Sequence, residues 1–385
     1  MASSQTVLAS PHEVPAGSGQ RDHWADNLRV LVIAVVVVWH TTSAYLGGSN
    51  WYYMDRTTSK IWTMAFFPAW VISAYALGPL FLVAGWFSAR SLARKGAVTF
   101  ARGRLLRLGV PLIAFIFVID RLAAYLGDLG RGRHPSLASY WGVPPQSGGP
   151  YEVGPMWFVA ALLAFSLAYA LLRGVHPTPV TRRWSGAQAM VAATFLIAVT
   201  AFLVWQRWQL GDAHAFLNVQ WQLWPQGAGL FALGAWAGEA GNWENLTAWA
   251  PRLGWTALAA AALWVALAVY LKTQGHLESA LRGAGWLVML NAVIYATISV
   301  AVTVWFTAMI RARWSGDGPL RARAGRASYA TYVLHALVLT AVMVLFAPLA
   351  LAPELMFLVV AAVAVPVCFV AGYAATRVPG ISKVL

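Results

Sequence analysis

Residues 29–40 read RVLVIAVVVVWH, with ten apolar residues between an arginine and a histidine. It is apolar enough to form a membrane-spanning helix, yet it begins with Arg29 and ends with His40. An α-helix turns about 100° and rises about 1.5 Å per residue, so eleven steps bring these side chains to within about 20° of one face, about 16 Å apart along the axis. An ionisable residue that deep is costly unless it faces the protein interior or a wet cavity, so His40 is a functional-site candidate.

Composition indicates a polytopic membrane protein. Of the 385 residues, 59% are hydrophobic and only 10% are charged, whereas a soluble domain has about 45–50% apolar residues. We expect an all-α bundle of about ten transmembrane helices at 25–380, without a soluble domain, after a disordered cytoplasmic tail at 1–24. Apolar windows long enough to cross a bilayer lie near 28–47, 64–89, 106–126, 155–172, 187–206, 223–241, 253–271, 284–310, 327–347 and 355–376.

The net charge of +14 reflects membrane topology. With ten spans, 19 of the 27 Lys and Arg residues fall in segments on the N-terminal side of the membrane and 8 fall on the other side. By the positive-inside rule both termini are cytoplasmic. We therefore predict a multi-pass protein of a bacterial cytoplasmic membrane, with the lipid bilayer as a partner and no binding of nucleic acid.

A polar stripe crosses the ninth predicted span. Ser328, Tyr332 and His335 are spaced i, i+4 and i+7, which places them on one helical face. Polar groups inside an apolar helix have to be satisfied by neighbours or by water. A lone intramembrane histidine often serves only as an interhelical hydrogen-bonding group, but together with His40 this stripe favours a cavity wall.

The run RGRLLR at 102–107 places Arg104 and Arg107 three residues apart at the head of an apolar helix, with Arg102 nearby. Paired arginines suit the capture of phosphate, from a soluble ligand or from lipid headgroups. Asp120 is either an ion-pair partner of Arg121 or a polar cavity residue. We predict no metal site, because no His, Asp and Glu cluster has ligand spacing.

Taken together, these motifs resemble the membrane-bound acyltransferase-3 family, and within it the branch that includes glucan biosynthesis protein C. The resemblance covers nearly the whole chain, and its specific parts are the spacing of ten residues between an arginine and a histidine and the Arg-x-x-Arg pair. The matching segments are DNLR at 26–29, His40, GPLFLVAGWFSARSLARKG at 78–96, Arg104-x-x-Arg107, MWFVAALL at 156–163 and SYATYVLH at 328–335.

The resemblance implies O-acylation of a carbohydrate or other hydroxyl acceptor by an acyl group from cytoplasmic acyl-CoA, with acetyl-CoA and succinyl-CoA among the candidate donors. Carried over, His40 is the catalytic histidine and Arg29 its partner in the same helix. The donor-binding residues are Arg104 and Arg107, with Arg102 beside them. We expect Trp157, Asp120, Ser328, Tyr332 and His335 to line the substrate cavity.

Two departures and one alternative remain. Many relatives have a histidine where this chain has Met156, and some carry a C-terminal esterase-like domain that is not seen here. Either the acceptor enters the membrane cavity or a separate extracytoplasmic protein completes the transfer. The alternative is a proton-coupled transporter or exporter that uses His40 and His335, although no internal repeat of the kind many transporters carry is visible.

Overall fold

The computed structural model describes residues 23–46, 51–54, 74–142, 145–176, 184–208, 216–241, 243–277, 283–316 and 318–384. Within these ranges every regular element is helical, and no residue lies in a β-strand. The predicted all-α class is therefore confirmed. Nearly all of the predicted tail at 1–24 and the first part of the predicted span at 64–89 lie outside the described residues.

The described chain contains thirteen α-helices. They are α1 (His23–Leu46), α2 (Gly78–Lys95), α3 (Ala97–Arg104), α4 (Val110–Ala114), α5 (Asp120–Gly130), α6 (Trp157–Val175), α7 (Gly186–Trp205), α8 (Trp224–Ala240), α9 (Trp243–Thr247), α10 (Ala250–Thr273), α11 (Trp286–Arg313), α12 (Pro319–Phe346) and α13 (Pro353–Ala375).

Eight of the ten predicted spans coincide with helices that are long and apolar enough to cross a bilayer. The other two fall in helical segments as well, but α8 has only 17 residues, and the helix through 106–126 is divided by two π-helical turns. A polytopic helical bundle is thus confirmed. The eight helices are His23–Tyr45, Ala74–Lys95, Gly154–Val175, Gly186–Trp205, Ala250–Thr273, Trp286–Arg313, Pro319–Leu349 and Pro353–Ala375.

The two π-helical turns are π1 (Leu105–Gly109) and π2 (Phe115–Ile119), which separate α3, α4 and α5. The wider turn disturbs the i to i−4 hydrogen-bond ladder, so carbonyl groups become free to accept from outside the helix. The Arg107 carbonyl accepts from the Tyr329 hydroxyl at 2.8 Å. The Phe117 carbonyl accepts from the Trp141 indole at 2.7 Å. Each π turn is therefore anchored to another part of the chain.

Glycines allow α2 and α8 to pack backbone against backbone. A Cβ atom on Gly85 would lie 2.0 Å from the Phe231 carbonyl oxygen, and one on Gly234 would lie 1.9 Å from the Leu82 carbonyl oxygen. Small residues at such crossings permit close helix packing inside a membrane. Along the contact both residue numbers rise together, so α2 and α8 run in the same direction.

Residues 51–54 are held against α5 by the same device. A Cβ atom on Gly127 would lie 2.0 Å from the Tyr52 carbonyl oxygen, and one on Gly130 would lie 2.9 Å from the Tyr53 ring. Because only hydrogen atoms occupy these positions, the backbone of the short segment can rest directly on the helix. This packing fixes where Trp51 and Tyr52 point.

The bundle has two chemically different ends. Arg29, near the start of α1, lies with its guanidinium 5.8 Å from the centre of the Phe87 ring, and Arg104 donates to the Ser88 hydroxyl at 3.0 Å. We call this the arginine end. The opposite end holds the far end of α1 with residues 51–54, and the start of α8.

Candidate active site

Three aromatic rings meet where α1 and α12 pack together toward the opposite end. The His40 imidazole stacks on the Trp51 indole with ring centres 4.3 Å apart and on the His335 imidazole at 5.3 Å. The Trp51 and His335 rings are 6.2 Å apart, so the rings of His40, Trp51 and His335 form a triangle, which we call the histidine cluster. Sequence reasoning placed both histidines in one cavity, and the structure brings them into direct contact.

His335 is fully buried, and its environment fixes its tautomer. Its Nδ1 lies 2.5 Å from the backbone carbonyl of Tyr332. Since a carbonyl oxygen only accepts, Nδ1 carries the proton, and in the neutral imidazole Nε2 carries the lone pair. Nε2 is buried and has no hydrogen-bond partner among the described residues. The ring therefore presents an unused acceptor inside the histidine cluster.

Trp51 contributes an unused donor to the same cluster. It is 7% exposed, and its indole N–H is buried without a partner in the described chain. Most buried polar groups in proteins are paired, so such exceptions call for an explanation. An unpaired donor and an unpaired acceptor on two rings that both contact His40 are well suited to bind a substrate.

Tyr52, the residue after Trp51, links the histidine cluster to the ion pair of Asp120 and Arg121. The Tyr52 hydroxyl donates to Asp120 at 2.5 Å, and Asp120 also pairs with Arg121. Burial, followed by the negative charge of Asp120, raises the pKa of the Tyr52 phenol well above its usual value, so the phenol keeps its proton. Of the two roles considered for Asp120, the ion pair is the one present, and it positions Trp51 through Tyr52.

Arg121 in turn ties the loop after α5 to this site. Its guanidinium donates to the carbonyls of Gly149 and Pro150, both at 2.9 Å. Asp120 and Arg121 are 3% and 1% exposed, and a buried pair of this kind needs such additional hydrogen bonds to offset desolvation. The network therefore connects residues 51–54, the start of α5 and the loop before α6.

The other predicted cavity residues have mixed positions. Tyr332 stacks on His335 at 5.4 Å, and its hydroxyl donates to the Pro155 carbonyl. Ser328 donates to the Gly325 carbonyl within its own helix, at 2.9 Å. Trp157 contacts the Phe81 ring at 6.4 Å, and Met156 is fully buried. Tyr332 thus borders His335 directly, whereas Ser328 and Trp157 are held by Gly325 and Phe81.

At the arginine end, Arg29 pairs with Asp26 at 2.8 Å. Burial, followed by the positive charges of Arg107 and Arg29, lowers the pKa of Arg104 to about 10. Within the described residues, no carboxylate lies within ion-pair distance of Arg104 or Arg107. Positive charges that repel one another without a counter-ion favour an anionic ligand. Arg102, on the same helix, is exposed.

Trp51 and Tyr52 are the site residues that sequence reasoning missed. They lie in a short irregular segment outside the predicted spans, so helical periodicity carries no information about them. Two aromatic residues four and five positions after the predicted span at 28–47 were the available signal, but they could equally belong to an interfacial aromatic belt.

Chemically, the arrangement separates two functions. A buried imidazole next to a second imidazole can accept a proton or form a covalent intermediate. Arg104 and Arg107 lie at the arginine end with Arg29, which is about 16 Å from His40 along α1. Without a carboxylate partner in the described chain, these two arginines can hold phosphate groups. This combination suits transfer of a group from a phosphate-bearing carrier.

Comparison with known proteins gives a single result. No curated protein and no solved structure matches the chain significantly. Residues 22–373 match the family described as Acyltransferase domain, Acyl_transf_3. This match covers most of the chain, including both histidines and all of the arginines considered above. The chain belongs to the acyltransferase-3 family, whose members are membrane acyltransferases.

Proposed function

We propose that the chain is a membrane O-acyltransferase that moves an acyl group from cytoplasmic acyl-CoA to a hydroxyl of a carbohydrate or glycosylated acceptor. The observation that carries the proposal is the stacked pair of His40 and His335, lying on the same bundle as Arg104 and Arg107, which have no carboxylate partner among the described residues. Family membership indicates acyl transfer. The arginines provide a place for the acyl donor, and the histidines provide the groups that take part in the transfer.

The arginine end suits the donor. Coenzyme A carries a diphosphate and a 3′-phosphate on its nucleotide, joined to a thin pantetheine arm that ends in the thioester. The guanidiniums of Arg104 and Arg107 would bind the phosphates through charge-assisted hydrogen bonds. The arm would then run along α1 toward His40. The excess of basic residues on this side favours a cytoplasmic location for it by the positive-inside rule.

The histidine cluster suits the chemistry. In direct transfer, an imidazole takes the proton of the acceptor hydroxyl, the new C–O bond forms, the C–S bond breaks, and the proton passes to the departing thiolate. In covalent transfer, a nitrogen of His40 attacks the thioester carbonyl, the N–C bond forms, the C–S bond breaks, and the imidazole proton passes to the departing thiolate. The acceptor hydroxyl then attacks the acyl carbon, the C–O bond forms, the N–C bond breaks, and the hydroxyl proton returns to the imidazole. In both cases the Nε2 lone pair of His335 provides a second proton acceptor beside His40.

The test is release of coenzyme A from acetyl-CoA and succinyl-CoA by the purified protein in lipid nanodiscs, followed with a thiol reagent. Mass spectrometry of envelope glycans and secreted glycosides, with and without the protein, identifies the acceptor. His40→Ala should abolish release and the glycan modification. His176→Ala changes an exposed histidine at the end of α6 and serves as the matched control. Full activity of His40→Ala would remove the proposed mechanism.

The contact between His40 and the buried His335 also favours a second candidate, a proton-coupled transporter or exporter. The two functions give opposite results in proteoliposomes. Proton flux that depends on a substrate but on no acyl donor supports transport. Coenzyme A release without proton flux supports acyl transfer.

A further inference from the structure

Four polar side chains come together at the arginine end, where α12 begins and α13 ends. The Arg377 guanidinium donates to the Tyr373 hydroxyl and lies 4.8 Å from the centre of the Tyr373 ring. The positive charges of Arg323 and Arg326, on α12, act on the same hydroxyl. We call these four residues the Tyr373 cluster. It includes none of the residues assigned above to the histidine cluster or to the acyl donor.

The packing of α12 on α13 brings these side chains to one level of the bundle. A Cβ atom on Gly372 would lie 2.3 Å from Thr331 Oγ1 and 2.6 Å from the Thr331 backbone nitrogen, so the two helices touch at this point. They are joined by the short connection 347–352 and run antiparallel. From the contact, Arg326 is five residues toward the arginine end on one helix, and Arg377 is five residues toward it on the other. At about 1.5 Å per residue, each lies about 7.5 Å from the contact along its helix.

The Tyr373 cluster has no counter-ion in the described chain. Arg323, Arg326 and Arg377 are exposed, and no carboxylate among the described residues lies within ion-pair distance of them. Asp26, which lies beside the start of α12, pairs with Arg29. Like charges that share one place without a counter-ion attract an anion.

The surface beside the cluster is apolar and belongs to a membrane span. Tyr373 lies two residues before the end of the candidate span Pro353–Ala375. The 28 residues of α12 exceed the roughly 20 that cross the hydrocarbon layer, so its first turns extend beyond that layer. Val370, nearly one turn before Tyr373 on α13, is 68% exposed. Charged groups at the membrane surface with an exposed apolar surface directly below them match a lipid, whose phosphate lies above its acyl chains.

We propose that the Tyr373 cluster is a binding site for the phosphate of an anionic membrane lipid. Guanidiniums from two helices bind phosphate oxygens through charge-assisted hydrogen bonds. The Tyr373 hydroxyl accepts from Arg377, so its own proton is left to donate to another phosphate oxygen. The acyl chains then lie along α13 beside Val370. This site goes beyond the proposed acyl transfer and does not depend on it.

The test is lipid binding to the full-length protein in detergent, measured by native mass spectrometry. Dioleoyl phosphatidylglycerol has a negative headgroup, whereas dioleoyl phosphatidylcholine has the same acyl chains and a headgroup without net charge. We expect the wild type to bind phosphatidylglycerol more tightly. The triple variant Arg323→Gln, Arg326→Gln, Arg377→Gln should lose at least about tenfold in this affinity, because each basic residue near an anionic headgroup contributes up to about fivefold.

The control removes the same charge at the same end of the bundle. It is the triple variant Arg94→Gln, Arg252→Gln, Arg313→Gln, which changes exposed arginines of α2, α10 and α11. Its affinity for phosphatidylglycerol should match that of the wild type. Tyr373→Phe tests the geometry of the cluster without a change of charge. It should weaken binding about three- to tenfold, the loss of one hydrogen bond.

Equal losses in the two triple variants would overturn the proposal, because the arginines would then act only through net charge. Equal binding of phosphatidylglycerol and phosphatidylcholine by the wild type would overturn it as well. Excess inorganic phosphate should leave phosphatidylglycerol bound, and its full displacement would indicate a site for soluble phosphate and no lipid site. Thermal unfolding shows whether each variant folds. If the first triple variant does not fold, unaltered binding by both Arg377→Gln and Tyr373→Phe would refute the site.

Discussion

The imidazole rings of His40 and His335 stack at 5.3 Å with an angle of 26° between their planes. They come from α1 and α12, near the two ends of the chain, so only tertiary packing brings them together. The contact leaves the two rings in different states. One nitrogen of His335 donates to a backbone carbonyl and the other has no partner in the described chain. The His40 ring stacks on the rings of Trp51 and His335. In an acyl-transfer site, the two imidazoles can therefore have different roles.

Replacing His335 by asparagine should separate its two nitrogens. The asparagine amide can still donate to the Tyr332 carbonyl in place of Nδ1, but nothing replaces Nε2. If Nε2 handles the proton, His335→Asn should fold normally and lose at least about 100-fold in coenzyme A release, the usual contribution of a general base. Activity and thermal stability are measured on the same nanodisc samples.

His335→Gln is the matched comparison, because glutamine reaches toward the Nε2 position and does not reproduce the Nδ1 contact. It should lose stability as well as activity. An active His335→Asn protein would show that only the contact between Nδ1 and the backbone matters, and His335 would then be a structural residue.

Arg104→Ala should weaken binding of the acyl-CoA donor without altering the chemical step. Removing a buried guanidinium that binds phosphate costs about 1.5–3 kcal/mol, so the KM for acetyl-CoA should rise roughly 10- to 100-fold with little change in kcat. Acetyl-pantetheine lacks the phosphates, and its turnover should be nearly the same in the variant and the wild type. Initial rates with both donors check this.

Arg133→Ala is the control for that experiment, because Arg133 is exposed and ion-pairs with Asp128, away from Arg104. An equal loss with acetyl-CoA and acetyl-pantetheine would mean that Arg104 supports the fold and does not bind phosphate.

The fold and half of the site are legible in the sequence because they depend on local periodicity. The length of the apolar runs identifies the spans. The helical repeat places Tyr332 and His335 on one face, where Tyr332 stacks on His335. The spacing from Arg29 to His40 likewise needs only the rise of one helix. Eight of ten predicted spans coincide with long apolar helices for the same reason.

The remaining features depend on contacts between distant residues. Trp51 reaches His40 because Gly127 lets Tyr52 rest on α5, and no pattern in residues 51–54 encodes that contact. The π turns at Leu105–Gly109 and Phe115–Ile119 change the relative direction of Arg104 and Arg107, yet their sequences read as ordinary helix. The hydrogen bonds that join Asn218, Gln220 and Gln222 depend on left-handed backbone angles, which the residue types alone do not indicate.

Gly127→Ala tests the role of the segment 51–54. The added methyl group would meet the Tyr52 carbonyl at 2.0 Å, so the segment has to move and Trp51 with it. Overpacking of this kind usually costs about 1–3 kcal/mol. We expect a lower unfolding temperature and a loss of coenzyme A release larger than the stability loss explains. Gly174→Ala, where a methyl group would have no contact closer than 4.0 Å, should leave both unchanged.

The buried ion pair between α6 and α8 gives the last prediction. Arg173 donates to Glu239 through Nε at 2.6 Å and through a terminal nitrogen at 2.5 Å, and both side chains are 12% exposed. Arg173→Met should destabilise the fold by about 3–5 kcal/mol, since it leaves the Glu239 charge buried with only the Tyr169 hydroxyl beside it. The double variant Arg173→Met, Glu239→Gln should recover part of this loss.

Arg311 and Glu244 form an exposed pair, so Arg311→Met should cost no more than about 1 kcal/mol. Thermal unfolding of the four proteins in one detergent decides whether the packing of α6 on α8 depends on this pair, and equal losses in Arg173→Met and Arg311→Met would show that it does not.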